Sequence, residues 1–154
     1  MEAPGFVERH EKDPDGNIRS LLAARGLRYS RPRAVILSYF REEPKHINAE
    51  TLHHSLRSRG NNLSLSTVYL NLSVLKDAGL VREFRGLAGE LLYDSNAALH
   101  GHLICKHCAR VIDLPEEVSA GETQQQLKQR VETVSGWEVE APSLNLYGLC
   151  PSCR

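Results

Sequence analysis

Long apolar runs are missing from this chain. None approaches the eighteen or so residues that a membrane-spanning helix needs. The opening segment, MEAPGFVERHEKDPDG, is acidic and holds no apolar signal core, so a cytoplasmic address is expected. Net charge is missing too, with 19 basic side chains against 19 acidic ones. Cysteine is scarce, four residues in 154, and none of the four stands alone. No candidate nucleophile or catalytic base pair stands out, which weighs against a hydrolytic enzyme. What remains is ordinary: 41% hydrophobic and 25% charged residues suit a globular chain of one domain or two small ones.

The zero net charge hides an asymmetry. Residues 1–16 carry two basic and five acidic side chains, residues 17–93 carry twelve and six, and residues 94–154 carry five and eight. A basic first half beside an acidic second half suggests a polyanion partner for the first half, although a solvated surface would read the same way.

Four helical patterns follow a charged stretch, residues 1–14, that reads as a mobile tail. NIRSLLAARG spaces Ile18, Leu21 and Leu22 at helical intervals and closes on Gly26. SRPRAVILSYFRE offers Ser30 as an N-cap and places Pro32 early, where a helix tolerates it. NAETLHHSLRSRG is capped by Asn48 and stopped by Gly60; SLSTVYLNLSVLKDAGL begins at Ser64 and ends at Gly79. After Gly79 the period shortens: LVREFR and ELLYD read as strands joined by GLAG, a glycine-bearing hairpin turn. That order predicts a winged helix-turn-helix domain over residues 15–93, the fourth helix entering the major groove and the hairpin forming the wing. Residues 94–154 predict a small α/β domain: HLIC and RVIDL paired around a cysteine turn, a helix in ETQQQLKQRVETVSG, and a strand in SLNLYGLC. The fold class is therefore α+β, with a hinge expected between Tyr93 and Leu99.

The cysteines form two pairs, CKHC (Cys105, Cys108) and CPSC (Cys150, Cys153). Two residues between thiolates let both bind one tetrahedral ion from a tight turn, and two such pairs close a four-cysteine zinc site of structural type. Disulfides or a redox couple are the competing readings, disfavoured by a reducing compartment and by the pairing. His100 and His102 alternate, so both can face one ion with Asp94, Asp113 and a histidine from elsewhere. Such a thiolate-free set suits iron(II) or manganese(II), though a plain surface pair would look alike. His107 is expected to face solvent, and His53 and His54 to serve surface or core.

These stretches resemble the ferric uptake regulator family of bacterial metal-dependent repressors. STVYLNLSVLKDAGLV is similar to its recognition helix, HGHLICKHCARVID to its metal-binding strand and LYGLCPSC to its zinc pair, over roughly residues 17–153. The resemblance implies a homodimer on a palindromic double-stranded DNA operator, with dimerisation through the second domain. It implies structural zinc at Cys105, Cys108, Cys150 and Cys153. It implies a regulatory iron(II) or manganese(II) ion at His46, Asp94, His100, His102 and Asp113. Asp113, where iron-sensing members commonly carry Glu, points to the peroxide-sensing branch, in which His46 or His100 would be oxidised; an iron- or manganese-responsive uptake regulator is the alternative. DNA contacts are expected from Ser66, Thr67, Tyr69, Leu70 and Asn71 on the recognition helix and from Arg31 and Arg33 toward phosphates. Leu99, Gly101 and Pro142 replace ligands of a further metal site, so no third site is expected. A hydrolytic metalloenzyme and a zinc-stapled interaction module remain the readings from other classes.

Overall fold

The computed structural model describes residues 14–42, 46–98, 100–115, 118, 124–140 and 142–154. The expected tail lies outside these residues except for its last member, Pro14, which instead opens helix α1 (Pro14–Ala24). A proline costs little there, because the first helical N–H groups have no partner to lose. Helices α2 (Arg31–Arg41), α3 (Ala49–Ser58) and α4 (Leu65–Asp77) follow. Asn48 caps α3 by accepting the Thr51 N–H at 2.8 Å, and Ser64 caps α4 by accepting the Thr67 N–H at 3.1 Å. Ser30 stands at the N-cap of α2 but makes no capping bond with its side chain.

The four helices share one core. Ile18 and Leu22 of α1 meet Ile36, Leu37 and Phe40 of α2, Leu52 and Leu56 of α3, and Val68, Leu72 and Leu75 of α4. Each fully buried side chain of this kind contributes about 1.5–3 kcal/mol relative to an exposed one. The wing follows as strands β2 (Arg82–Arg85) and β3 (Leu91–Asp94), paired antiparallel with Phe84 opposite Leu92.

A two-residue strand, β1 (His46–Ile47), joins the open edge of β3 and pairs His46 with Asp94. Asp94, expected at the start of the second domain, closes β3, facing His46 on one side and Arg82 on the other.

The second sheet has the order β5–β4–β6, built from β4 (His102–Cys105), β5 (Val111–Asp113) and β6 (Asn145–Gly148), with helix α5 (Gln124–Ser135) between the last two in sequence. β4 pairs antiparallel with β5 and parallel with β6. Ile104 and Cys105 are the buried apolar side chains among the described residues of this half. No described helix is long and apolar enough to cross a membrane.

Candidate metal centres and DNA face

Cys105 ends β4, and the next three residues turn back so that the Ala109 N–H meets Cys105 O and the Cys105 N–H meets Arg110 O, both at 2.9 Å. Lys106 N–H reaches Gly148 O at 2.8 Å, which ties this turn to the end of β6. The chain leaves β6 into Cys150, and the Cys153 N–H closes on Cys150 O at 2.9 Å. Sulfurs of all four cysteines thus lie within 4.8 Å of one another, with Cys108 and Cys150 at 3.8 Å. Backbone N–H groups of Cys108 and Cys150 pull the Cys105 thiol down to about 5, whereas hydrogen bonds with the Cys150 and Cys108 sulfurs push Cys153 up to about 12. One cluster therefore favours a thiolate and resists a full set of them. A divalent cation removes that conflict, and four sulfurs leave it no open position.

The second cluster draws on both sheets. His46 comes from β1, Asp94 from β3, His102 from β4, Asp113 from β5, and His100 from the segment just before β4 rather than from the strand itself. Their donor atoms also lie within 4.8 Å of one another. His46 Nε2 stands 2.8 Å from Asp113 Oδ1 and 3.5 Å from Asp94 Oδ2. Asp94 Oδ2 lies 2.7 Å from His100 Nε2 and 3.0 Å from His102 Nε2. Asp94 is only 1% exposed, so its charge depends on these neighbours.

Burial alone would raise the Asp94 carboxyl, but hydrogen bonds from His102, His46 and the Asn96 N–H outweigh it and hold the group well below the usual carboxylate range. Burial alone would lower His46, yet the hydrogen bond and charge of Asp94, with Asp113, raise it above 6.5.

The outer contacts set which nitrogens face inward. His100 Nδ1 donates to Ala98 O at 2.7 Å, and His102 Nδ1 lies 3.4 Å from Asn145 Oδ1. Each contact engages Nδ1 on the outer side and leaves Nε2 facing the centre, where a cation that displaces the Asp94 contact would meet its lone pair. His100 Nε2 is buried without a well-formed hydrogen bond although a carboxylate oxygen is 2.7 Å away. Lone pairs aimed at one point from three imidazoles and two carboxylates fit a cation, of the kind that accepts nitrogen and oxygen ligands.

The residues expected to contact DNA differ in exposure. Arg31 is exposed at the start of α2, and Ser66, Tyr69 and Leu70 are exposed on α4, Leu70 at 66%. Thr67 is half-buried, with its hydroxyl 2.8 Å from Ser64 Oγ. Tyr69 donates its hydroxyl to Glu50 of α3. Asn71 does not belong to this face. It is buried beside Leu72 and donates to Thr67 O at 2.8 Å, because the next step around the helix from Leu70 turns it toward the core. Arg33 is half-buried and donates to Arg28 O at 2.6 Å, so it braces the loop before α2.

His53 bonds Leu63 O at 2.9 Å, joining α3 to the loop before α4, and belongs to neither cluster. Leu99 lies outside the described residues. Phe84, Arg82, Asn96 and Asn145 surround the histidine–aspartate cluster without having been expected there. An inward position in the alternation of REFR was the one available signal for Phe84.

Residues 24–147 match the sequence profile described as the Ferric uptake regulator family. The chain belongs to that family. The peroxide-responsive repressor PerR of Staphylococcus epidermidis (strain ATCC 12228 / FDA PCI 1200) is 27% identical over 150 residues, which are 96% of this chain and 95% of that protein. The ferric uptake regulator of Vibrio cholerae is 30% identical, with a TM-score of 0.65 over 86% of this chain and 98% of its own. The Pseudomonas aeruginosa ferric uptake regulator, solved with manganese, is 27% identical, with a TM-score of 0.67 over 87% and 98%. Ferric uptake regulators are transcriptional regulators rather than enzymes, and the hydrolytic reading falls with that membership. The matched span contains all five histidine and aspartate positions but stops short of Cys150 and Cys153.

Proposed function

We propose that this protein is a cytoplasmic, homodimeric, metal-dependent repressor that binds a palindromic operator in double-stranded DNA. One observation carries the reading: His46 and Asp94 come from the sheet of the wing, while His102 and Asp113 come from the second sheet, and all converge on one point with His100. Ligands divided in this way let ion occupancy bias the relation of the two sheets, which is the two-state element that allosteric control requires. Cys105, Cys108, Cys150 and Cys153 hold zinc as a structural staple in a half that buries little apolar surface of its own. Arg31 supplies a phosphate contact, and Ser66, Tyr69 and Leu70 read bases, Leu70 suiting a thymine methyl group.

A second copy of the chain accounts for apolar surface left open on the second half. Ile112, Leu146 and Tyr147 are exposed on its sheet and Leu149 just past β6, as are Leu127, Val131 and Val134 on α5, Val134 at 88%. Surface of this kind marks an interface.

The inducer is hydrogen peroxide. Asp113 in the ligand set and the PerR relatives support that branch. His46 and His100 would help hold an iron(II) ion, which would give one electron to peroxide, leaving iron(III), hydroxide and a hydroxyl-radical-level oxidant derived from the peroxide beside their rings. An iron- or manganese-responsive uptake regulator is the second reading, favoured by the 30% identity to the Vibrio cholerae protein.

A gel shift on DNA from upstream of the protein's own coding region, with and without manganese(II) at one fixed salt concentration, tests the core of the proposal. Binding is expected to require manganese, and peroxide treatment of the iron form is expected to abolish it. Binding indifferent to manganese would sink the regulatory site while leaving a DNA-binding protein. Manganese-dependent binding that survives peroxide in the iron form would select the second reading.

A further inference from the structure

Strand β2 of the wing has two faces. Glu83 and Arg85 do not share the side taken by half-buried Arg82 and buried Phe84, since successive side chains alternate. Both residues of the inner face reach the histidine–aspartate cluster. The Phe84 ring stacks on the His102 imidazole, with centroids 4.0 Å apart and planes at 14°, and meets His46 edge-on at 5.6 Å. Arg82 donates to Ala98 O at 2.9 Å, the same carbonyl that receives the His100 Nδ1 proton at 2.7 Å.

All three imidazoles are therefore steadied from one four-residue strand. Phe84 is also unusual in its company. It is 8% exposed, yet it does not join the apolar cluster that unites the four helices with Tyr93 and Ile47. Two of its packing partners are ligand rings.

A stacked pair of rings is held by shape, so neither can turn freely without losing contact with the other. A cation that fixes the pose of His102 and His46 fixes the surface on which Phe84 sits. Phe84 belongs to the wing. The Arg82–Ala98–His100 chain adds a second arm from the same strand, across the segment that joins the two sheets.

We propose that Phe84 and Arg82 are positioning residues that couple occupancy of the histidine–aspartate cluster to the pose of the wing on DNA. This rests on the regulatory reading of that cluster given above. The coupling runs both ways: DNA that selects one wing pose tightens manganese binding by the factor with which manganese tightens DNA binding.

Full-length zinc-loaded protein carries the test. Manganese affinity is measured by titration calorimetry, and operator affinity by gel shift with and without saturating manganese, for wild type, Phe84→Leu, Phe84→Ala and Arg82→Met. Phe84→Leu keeps apolar bulk and loses the ring. It is expected to weaken manganese about tenfold, the usual scale for outer contacts of a metal ligand. It is also expected to shrink the manganese-induced gain in operator affinity by a similar factor. Arg82→Met is expected to do the same to a smaller extent. Variants with wild-type manganese affinity and a wild-type gain overturn the proposal, even if their melting temperatures fall, since that is what simple packing predicts. Weaker manganese with an unchanged gain at saturation overturns the coupling as well. If Phe84→Ala does not fold, Phe84→Leu decides. A wild-type protein whose DNA binding ignores manganese defeats the regulatory reading itself, whereas wild type that responds beside variants that respond equally defeats only the coupling.

Discussion

Strand β4 has a residue of each cluster at its two ends, His102 at one and Cys105 at the other. Three residue steps along a strand span only about 10 Å, yet the two ends are built for different tasks. At the Cys105 end, all four sulfurs come from the second half, one from the end of β4 and three from the turns beyond β4 and β6, and β6 runs directly from the Asn145 side to the second pair. At the His102 end, ligands arrive from both sheets. A cluster confined to one half can stabilise that half; a cluster shared between halves can set their relation. The contrast in packing agrees. The four helices bury a continuous apolar core, while Ile104 and Cys105 stand nearly alone in the described part of the second half. On the proposed reading, zinc-bound thiolates compensate for a missing core, and the mixed imidazole–carboxylate set holds an ion that can leave.

The largest effect is expected from breaking the Cys105 end. Cys150→Ser should release zinc and remove on the order of 10 kcal/mol of metal-linked folding free energy. The second half should then unfold while the helical core persists. Zinc content and circular dichroism check this, and a variant that keeps full zinc and wild-type melting would erase the contrast between the two clusters. Next in size is His46→Ala. Manganese affinity should fall by at least about a hundredfold, with one zinc per chain retained. Loss of both metals together would mean that the two ends of β4 are one cooperative site.

A smaller effect separates the clusters by pH. The folded pKa of His46 is raised above 6.5, so its partnership with Asp94 and Asp113 stabilises the manganese-free protein fully below 6.5 and fades as pH rises through the raised value. The folded pKa of Asp94 is depressed below 3.8, so its contribution is full above 3.8 and fades as pH falls below that. Manganese must displace the His46 proton, which makes its affinity climb with pH across the window where that proton is lost, about tenfold per unit at most for one proton. Stability of the manganese-free form and manganese affinity should thus move in opposite directions from pH 6.5 upward. Urea unfolding and calorimetry at matched pH values measure the two. Parallel trends would show that His46 is not the proton-bearing ligand.

Local chemistry made much of this legible. Asn48 and Ser64 mark helix starts because their side chains satisfy N–H groups that the helix leaves open, a signal confined to four residues. The alternation of His100 and His102, and the two-residue spacing of each cysteine pair, are equally local. Contacts set by distant partners were not legible. Nothing in PKHIN announces a strand, since β1 exists only because β3 offers it an open edge. For the same reason nothing local announces that Asp94 pairs with both His46 and Arg82. β6 lies parallel to β4 across forty residues of chain, and no period records that pairing. Asn71 departs from expectation for a different cause: one residue of helix turns a side chain by about 100°, enough to move it from the groove to the core.

The smallest effect sits at the Cys105 end. Ala109 has φ +60°, the one positive value at a non-glycine position among the described residues. The turn needs it. With this backbone, the chain reverses after Cys108 so that Ala109 and Arg110 both bond Cys105, which aims the first two sulfurs at their ion. An L-residue pays about 1–2 kcal/mol in that region, while glycine at the same place costs about 0.5–1 kcal/mol more chain entropy on folding. The difference favours glycine by roughly 0.5 kcal/mol, or about 1–2 °C for a chain of this size. Ala109→Gly should therefore raise the melting temperature of the zinc-loaded protein slightly and leave manganese affinity at the far end of β4 untouched. A lower melting temperature would mean that the methyl group is held by packing. A changed manganese affinity would mean that strain at one end of the strand is felt at the other, and that four residues are too short a span to keep the two clusters independent.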